Sequence, residues 1–213
     1  MPPSSVDDGH PRDTAAANDT QRLYLESLAA QLTGWSNPRE RVTQALERDE
    51  FILYTQTILP LIPGAVPACE FLVRLKEEEQ HLAPPGAFIP VMEYYDLMPD
   101  LDRWVVSHVL DWYRSRMRER QILCSINLSG STVRDSGFPV FVHGELERYG
   151  VPGRALCFEI AEHDVMARIA PRSRFAARLK ALGCRFAIGS FGRDGVSFDS
   201  LKRLPGDFVK IDG

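Results

Sequence analysis

Six short apolar runs, at 51–58, 66–75, 122–128, 156–160, 184–188 and 207–211, recur along the chain, with helical patterns in most of the intervals between them. Runs of this length, rich in β-branched and aromatic residues, read as strands. Strands separated by helices indicate a parallel α/β architecture, because two parallel strands need a long crossover and a helix supplies it. In (β/α) barrels the chemistry gathers at the carboxyl ends of the strands. The polar residues near those ends are Gln56, Glu70, Arg74, Asn127, Glu159, Glu162 and Lys210. Their placement points to a single site. A closed barrel needs eight strands. Six leave it incomplete, with unpaired edges at the first and last strand for the N-terminal helices or a partner chain to cover.

The N-terminal part divides in two. Residues 1–19, rich in Pro, Ser, Asp, Thr and Ala, have almost no large apolar side chain and are expected to form a disordered tail. Residues 20–38 form a helical lead-in, with Tyr24, Leu25, Leu28 and Leu32 at helical spacing. Asn37-Pro38-Arg39-Glu40 then gives a helix start, with Asn37 as cap and Pro38 in the first turn. The domain proper is 39–213. Within it, Pro84-Pro85-Gly86 is expected to break the chain ahead of helices over 92–98 and 100–117, the second capped by Asp100. Leu101, Trp104, Val105, His108 and Trp112 mark one face of that helix, with His108 packed in the core. Further helices end at Gly150 and Gly183, and a last short one carries Leu201 and Leu204.

A formal charge of -4 over 213 residues provides no basic field for a polyanionic duplex, which argues against nucleic acid as a partner. No apolar run approaches the roughly 18–20 residues that cross a bilayer, and the first ten residues lack a hydrophobic segment. The expected location is the cytoplasm. Cys69, Cys124, Cys157 and Cys184 lie far apart in apolar runs without Cys-x-x-Cys spacing, as buried reduced thiols do.

Seven short motifs, in order, resemble the EAL domain, the bacterial phosphodiesterase of cyclic di-GMP. Leu53-Tyr54-Thr55-Gln56 is similar to its Leu-Tyr-Tyr-Gln, and Glu70-Phe71-Leu72-Val73-Arg74 to its Glu-Ala-Leu-Leu-Arg. Phe88-Ile89-Pro90 with Glu93, Ile126-Asn127-Leu128-Ser129 and Phe158-Glu159-Ile160-Ala161-Glu162 follow. Leu201-Lys202-Arg203-Leu204-Pro205 and Lys210-Ile211-Asp212 complete the set. The resemblance covers 39–213 and implies an incomplete TIM-like (β/α) barrel of the EAL type. It also implies two-metal hydrolysis in active relatives, with Mg²⁺ or Mn²⁺ held by carboxylates and an amide oxygen. Carried over residue by residue, Glu70, Asn127 and Glu159 would be metal ligands and Lys210 would position the water. Glu162 would brace the loop after Gly192. Gln56, Leu72, Arg74 and Asn127 stand where the family touches base, ribose or phosphate.

The chain departs from the pattern where the family has Asp-Asp before Phe-Gly: here Gly189 and Ser190 precede Phe191-Gly192. Two carboxylates and an amide under-neutralise two dications, so the resemblance implies a degenerate phosphodiesterase that needs no cofactor. The reading that follows is a protein-interaction regulator in cyclic di-GMP-related signalling, working with a partner chain or as a homo-oligomer. A metal-independent cyclic di-GMP receptor is the alternative, and an active phosphodiesterase the third reading. Glu70, Asn127, Glu159 and Lys210 also fit a self-satisfied charge network, with Lys210 as counter-charge.

Overall fold

The computed structural model describes residues 11–77, 82–116, 121–162, 164, 169–192 and 206–211. The strands are β1 (Phe51–Ile58), β2 (Ala68–Lys76), β3 (Leu82–Ala83), β4 (Leu123–Leu128), β5 (Leu156–Ala161), β6 (Arg185–Phe191) and β7 (Phe208–Ile211). They form one sheet in the order β1-β2-β4-β5-β6-β7, with the two-residue β3 pairing β2. From β2 to β7 the main path is parallel, the crossovers between β2 and β6 carry helical structure, and the sheet makes an incomplete α/β barrel.

On the main path one pair departs from the all-parallel expectation, and the short β3 also pairs β2 antiparallel. β1 runs antiparallel to β2, in unbroken register from Phe51 opposite Leu75 to Ile58 opposite Ala68. The cause lies in the connection. The link 59–67 is shorter than the roughly dozen residues a parallel crossover needs, and Pro60, Pro63 and Gly64 turn it back as a hairpin, Gly64 at φ 80.

Seven α-helices accompany the sheet among the described residues: α1 (Pro11–Thr33), α2 (Pro38–Glu47), α3 (Pro85–Tyr94), α4 (Met98–Arg116), α5 (Gly130–Arg134), α6 (Phe138–Tyr149) and α7 (Ile169–Ala181). The helix expected over 20–32 starts instead at Pro11, so residues 11–19 of the expected tail belong to it. Proline suits a first helical turn and the Ala15-Ala16-Ala17 run has the highest helix propensity. Asn37 caps α2 as its sequence indicated: its side-chain oxygen accepts from the Glu40 backbone N–H at 3.3 Å, and its amide donates to Glu40 Oε2 at 3.0 Å.

Two further helix boundaries shift. Pro85 opens α3, so Pro84-Pro85-Gly86 begins a helix rather than breaking the chain. α4 starts at Met98, placing Asp100 in its first turn and not at the cap. His108 lies outside the core: it stacks on Trp104 at 3.8 Å, with Nε2 3.1 Å from Asp49 Oδ1. The last short helix, with Leu201 and Leu204, lies outside the described residues.

The core lies between the sheet and its helices. Alternate strand residues Cys69, Phe71, Cys124, Ile126 and Phe158 are buried, as are Leu101, Val105, Val109 and Leu110 of α4. Phe138 at the start of α6 is fully buried, with ring centroids 6.1 Å from Phe158 and 5.9 Å from Phe175. All four cysteines are buried and free. Burial pushes Cys157 and Cys184 up to about 12, which keeps them as thiols. No helix among the described residues is long and apolar enough to cross a membrane.

Candidate functional site

Strand register decides which side chains meet. Glu70 stands opposite Ser125, Asn127 opposite Glu159, Glu159 opposite Ala187, and Ala161 opposite Gly189. Because successive residues of a strand point to opposite faces, residues two apart share a face. With Phe71, Ile126 and Phe158 buried in the core, Glu70, Asn127 and Glu159 take the other face, toward the barrel interior.

There they form a connected network. Asn127 Nδ2 donates to Glu70 Oε1 at 2.8 Å. Lys210 reaches in from β7, its ammonium donating to Glu70 Oε2 and Glu159 Oε2, both at 2.9 Å. Burial raises the Glu159 carboxyl above the usual carboxylate range; Lys210 opposes this and the nearby Glu70 charge adds to it. Burial pulls the Lys210 ammonium down, but its hydrogen bonds to Glu70 and Glu159 prevail and hold it above its ordinary value. The lysine is therefore cationic at neutral pH.

The Gly-Ser departure has a geometric counterpart. A Cβ built on Gly189 would stand 2.3 Å from Glu159 Oε1 and 3.0 Å from its Cδ and Cγ. The Glu159 side chain thus occupies the room that a side chain at 189 would need. Ser190 follows in the left-handed region at φ 54, rare for a residue with a Cβ.

Other sequence-derived candidates divide between two locations. Leu72 and Arg74, further along β2, line a cavity of about 360 Å³ with Asn127 and Glu159. Arg74 Nη1 is turned onto the Val73 carbonyl at 2.8 Å. Gln56 stands in register with Glu70 on the outermost strand, is exposed, and is not among the residues lining that cavity. Glu162 is buried and accepts from the Gly192 backbone N–H at 2.9 Å, at the start of the loop it was expected to brace. Residues 193–200 of that loop, and Asp212, lie outside the described residues.

Two carboxylates escaped the sequence reading. Asp102 on α4 is buried, lines the same cavity, and accepts from both the backbone N–H and the hydroxyl of Ser129. Its signal lay in spacing, since Met98, Asp102, Val105 and Val109 share one buried helical stripe. Asp207, just ahead of β7, accepts from the Phe186 backbone N–H at 2.8 Å, from Lys180 at 3.1 Å and from Arg185 at 3.2 Å. It ties β6, α7 and the entry to β7 together.

The two-cation site that the resemblance implies does not fit this donor set. Gly189 offers no ligand atom, and Glu159 lies where such a ligand would project. One carboxylate oxygen each of Glu70 and Glu159 is bound to an ammonium, and the second Glu70 oxygen accepts from Asn127. A dication placed among them would meet a fixed positive charge.

The EAL domain family model matches residues 39–213. The cyclic di-GMP phosphodiesterase PdeF of Escherichia coli (strain K12) is 32% identical over 203 residues, covering 94% of this chain and 27% of PdeF. Rv1357c of Mycobacterium tuberculosis (strain ATCC 25618 / H37Rv), an uncharacterized protein, is 36% identical over 173 residues, covering 79% of this chain and 56% of its own. This chain thus spans only part of the curated relatives it matches. Among solved structures, the FimX EAL domain from Pseudomonas aeruginosa bound to c-di-GMP aligns with a TM-score of 0.78 at 28% identity, covering 84% of this chain and 72% of that one. The PaMucR phosphodiesterase in its c-di-GMP complex aligns with a TM-score of 0.75 at 27% identity, covering 82% and 72%. With the motifs, the sheet and the family match all falling on the same residues, this chain belongs to the EAL domain family.

Proposed function

We propose that this domain is a catalytically silent member of the EAL family, acting in cyclic di-GMP signalling through contact with a partner chain or a second copy. The observation that carries the silence is Glu159 lying over Gly189 while Lys210 takes the charge of both glutamates. Hydrolysis through paired cations needs their charge at the phosphoryl oxygens and a metal-generated hydroxide. Neither is supplied by a mouth whose carboxylates already hold an ammonium. No cofactor is required under this reading, and a cytoplasmic setting goes with it. Contact with a partner is supported by the sheet's two ends, β1 and β7, which have no further strand among the described residues. Leu59, Leu61 and Ile62 are also exposed at the β1–β2 turn.

The test is a hydrolysis assay of the purified chain with cyclic di-GMP and Mn²⁺ or Mg²⁺, paired with light scattering. No linear dinucleotide and a mass above the monomer are expected. Turnover would overturn the silence. A clean monomer whose 207–211 amides exchange fast would overturn coverage by a partner.

A second reading, a metal-independent cyclic di-GMP receptor, is favoured by the cavity that keeps Leu72, Arg74 and Asn127 together. The solved FimX and PaMucR complexes with c-di-GMP support it. Calorimetric titration without divalent cations decides it. Micromolar binding that falls about tenfold or more in Arg74→Ala, the loss of one charge-assisted contact, would place the receptor reading first.

A further inference from the structure

Lys210 and its two partners lie on strands far apart in the sheet. Glu70 is on β2 and Glu159 on β5, with β4 between them, whereas Lys210 is on β7 at the far end of the strand order. The ammonium therefore spans the barrel interior. Asp207 anchors its entry, but β7 itself is four residues long and, among the described residues, pairs β6 alone with an irregular register, and Phe208, Val209 and Ile211 are exposed. A strand with so little burial belongs to the least stable part of a fold, so its link to the interior counts for more.

Gly189 is the condition for that link. Any side chain there would drive the Glu159 carboxylate from its place, since even a Cβ would approach Oε1 to 2.3 Å. Without Lys210, two carboxylates would face one interior, one of them 6% exposed, and would lose the ammonium that both of them bind.

We propose that Lys210 is a tethered cation closing an ionic clamp, Glu70–Lys210–Glu159, that ties the last strand to the second and fifth, and that Gly189 is the residue that admits it. The clamp takes over the charge role that divalent cations would have at this mouth and makes its integrity independent of them. This inference rests on the silent-domain reading. It adds a positional role for Lys210 and a packing role for Gly189.

The full chain, as wild type, Lys210→Met, Lys210→Arg and Gly189→Ala, is compared by thermal melting with millimolar Mn²⁺ or with chelator, and by hydrogen exchange resolved to 208–211. For the wild type, the same Tm in Mn²⁺ and chelator is expected. In Lys210→Met, exchange at 208–211 speeds up at least about tenfold, and Mn²⁺ now raises Tm because the released carboxylates have a cation to bind. Gly189→Ala, which leaves the lysine in place, gives the same faster exchange by displacing Glu159. Lys210→Arg keeps the charge and most of the protection, and it serves as the test should the methionine variant fail to fold. A wild type stabilised by Mn²⁺, or unchanged exchange at 208–211 in the folded variants, would overturn the clamp. Hydrolysis by the wild type sinks the silent-domain reading, whereas Mn²⁺ stabilisation without hydrolysis sinks the clamp alone.

Discussion

Asp102 takes two hydrogen bonds from a single residue: its Oδ2 lies 2.9 Å from the backbone nitrogen of Ser129 and 2.9 Å from its hydroxyl. The contact pins α4 to the junction between β4 and α5, two residues beyond Asn127, and the Ser129 hydroxyl in turn accepts from the Thr132 N–H at 3.2 Å. A buried carboxylate therefore sets one wall of the cavity that holds Leu72 and Arg74.

Burial pushes Asp102 up to about 6 from an ordinary 3.8, despite the hydrogen bonds from Thr132 and Ser129 and the Arg103 charge that favour ionisation. The folded state thus binds this proton more readily than the unfolded chain. The contribution of Asp102 to stability is fully present below pH 4 and is lost as pH rises through about 6. Urea unfolding at a series of pH values is expected to show that fall as a component absent in Asp102→Asn. The same slope in both proteins would assign it to another group. Asp102→Ala, which leaves the Ser129 donors facing a void, is expected to cost about 1–3 kcal/mol.

Ser190 holds φ 54, a conformation that costs a residue with a Cβ roughly 1–2 kcal/mol. Ser190→Gly relieves that cost but adds unfolded-state entropy, leaving a net gain of about 0.5–1 kcal/mol. Ser190→Val, β-branched, is expected to lose stability. Denaturant midpoints of the two variants should move in opposite directions.

Phe138 is wedged between Phe158 and Phe175 with no exposed surface, so its truncation leaves a cavity that its neighbours fill only in part. Phe138→Ala is expected to lose about 3–5 kcal/mol and Phe138→Leu distinctly less. Equal losses would show that the site collapses onto the smaller side chain.

Asn37→Ala removes the acceptor for the Glu40 N–H and is expected to cost about 1 kcal/mol. Asn37→Ser keeps an acceptor and should recover most of that in the same melting experiment.

Much of the architecture is readable from local chemistry. Each of the six apolar runs became a strand, because β-branched and aromatic residues bounded by turn formers leave little alternative. The direction of β1 is a different kind of information. It is set by the short link 59–67 and not by Phe51–Ile58 itself, so strand pattern alone misassigns it. Asp102 was missed because a carboxylate beside Leu101 reads as solvent-facing until its spacing from Met98 and Val105 is weighed. Cys69 and Cys124, distant in sequence, stand directly opposite on β2 and β4. The reach of Lys210 to Glu70 across 140 residues, and the seating of Glu159 over Gly189, depend on sheet curvature and side-chain rotamer, and neither leaves a trace in residue spacing.

Sheet edges are usually blunted by lysine, proline or a bulge. Phe51–Ile58 has none of these: it is uncharged, lacks proline, and pairs with β2 in unbroken register. Among the described residues no strand pairs its outer edge, and nothing in its own sequence would turn an added strand away. If the proposed contact with a second copy uses that edge, how much of this domain a cell makes becomes a structural variable, with dilute chains keeping the edge in water and crowded ones giving it to a neighbour.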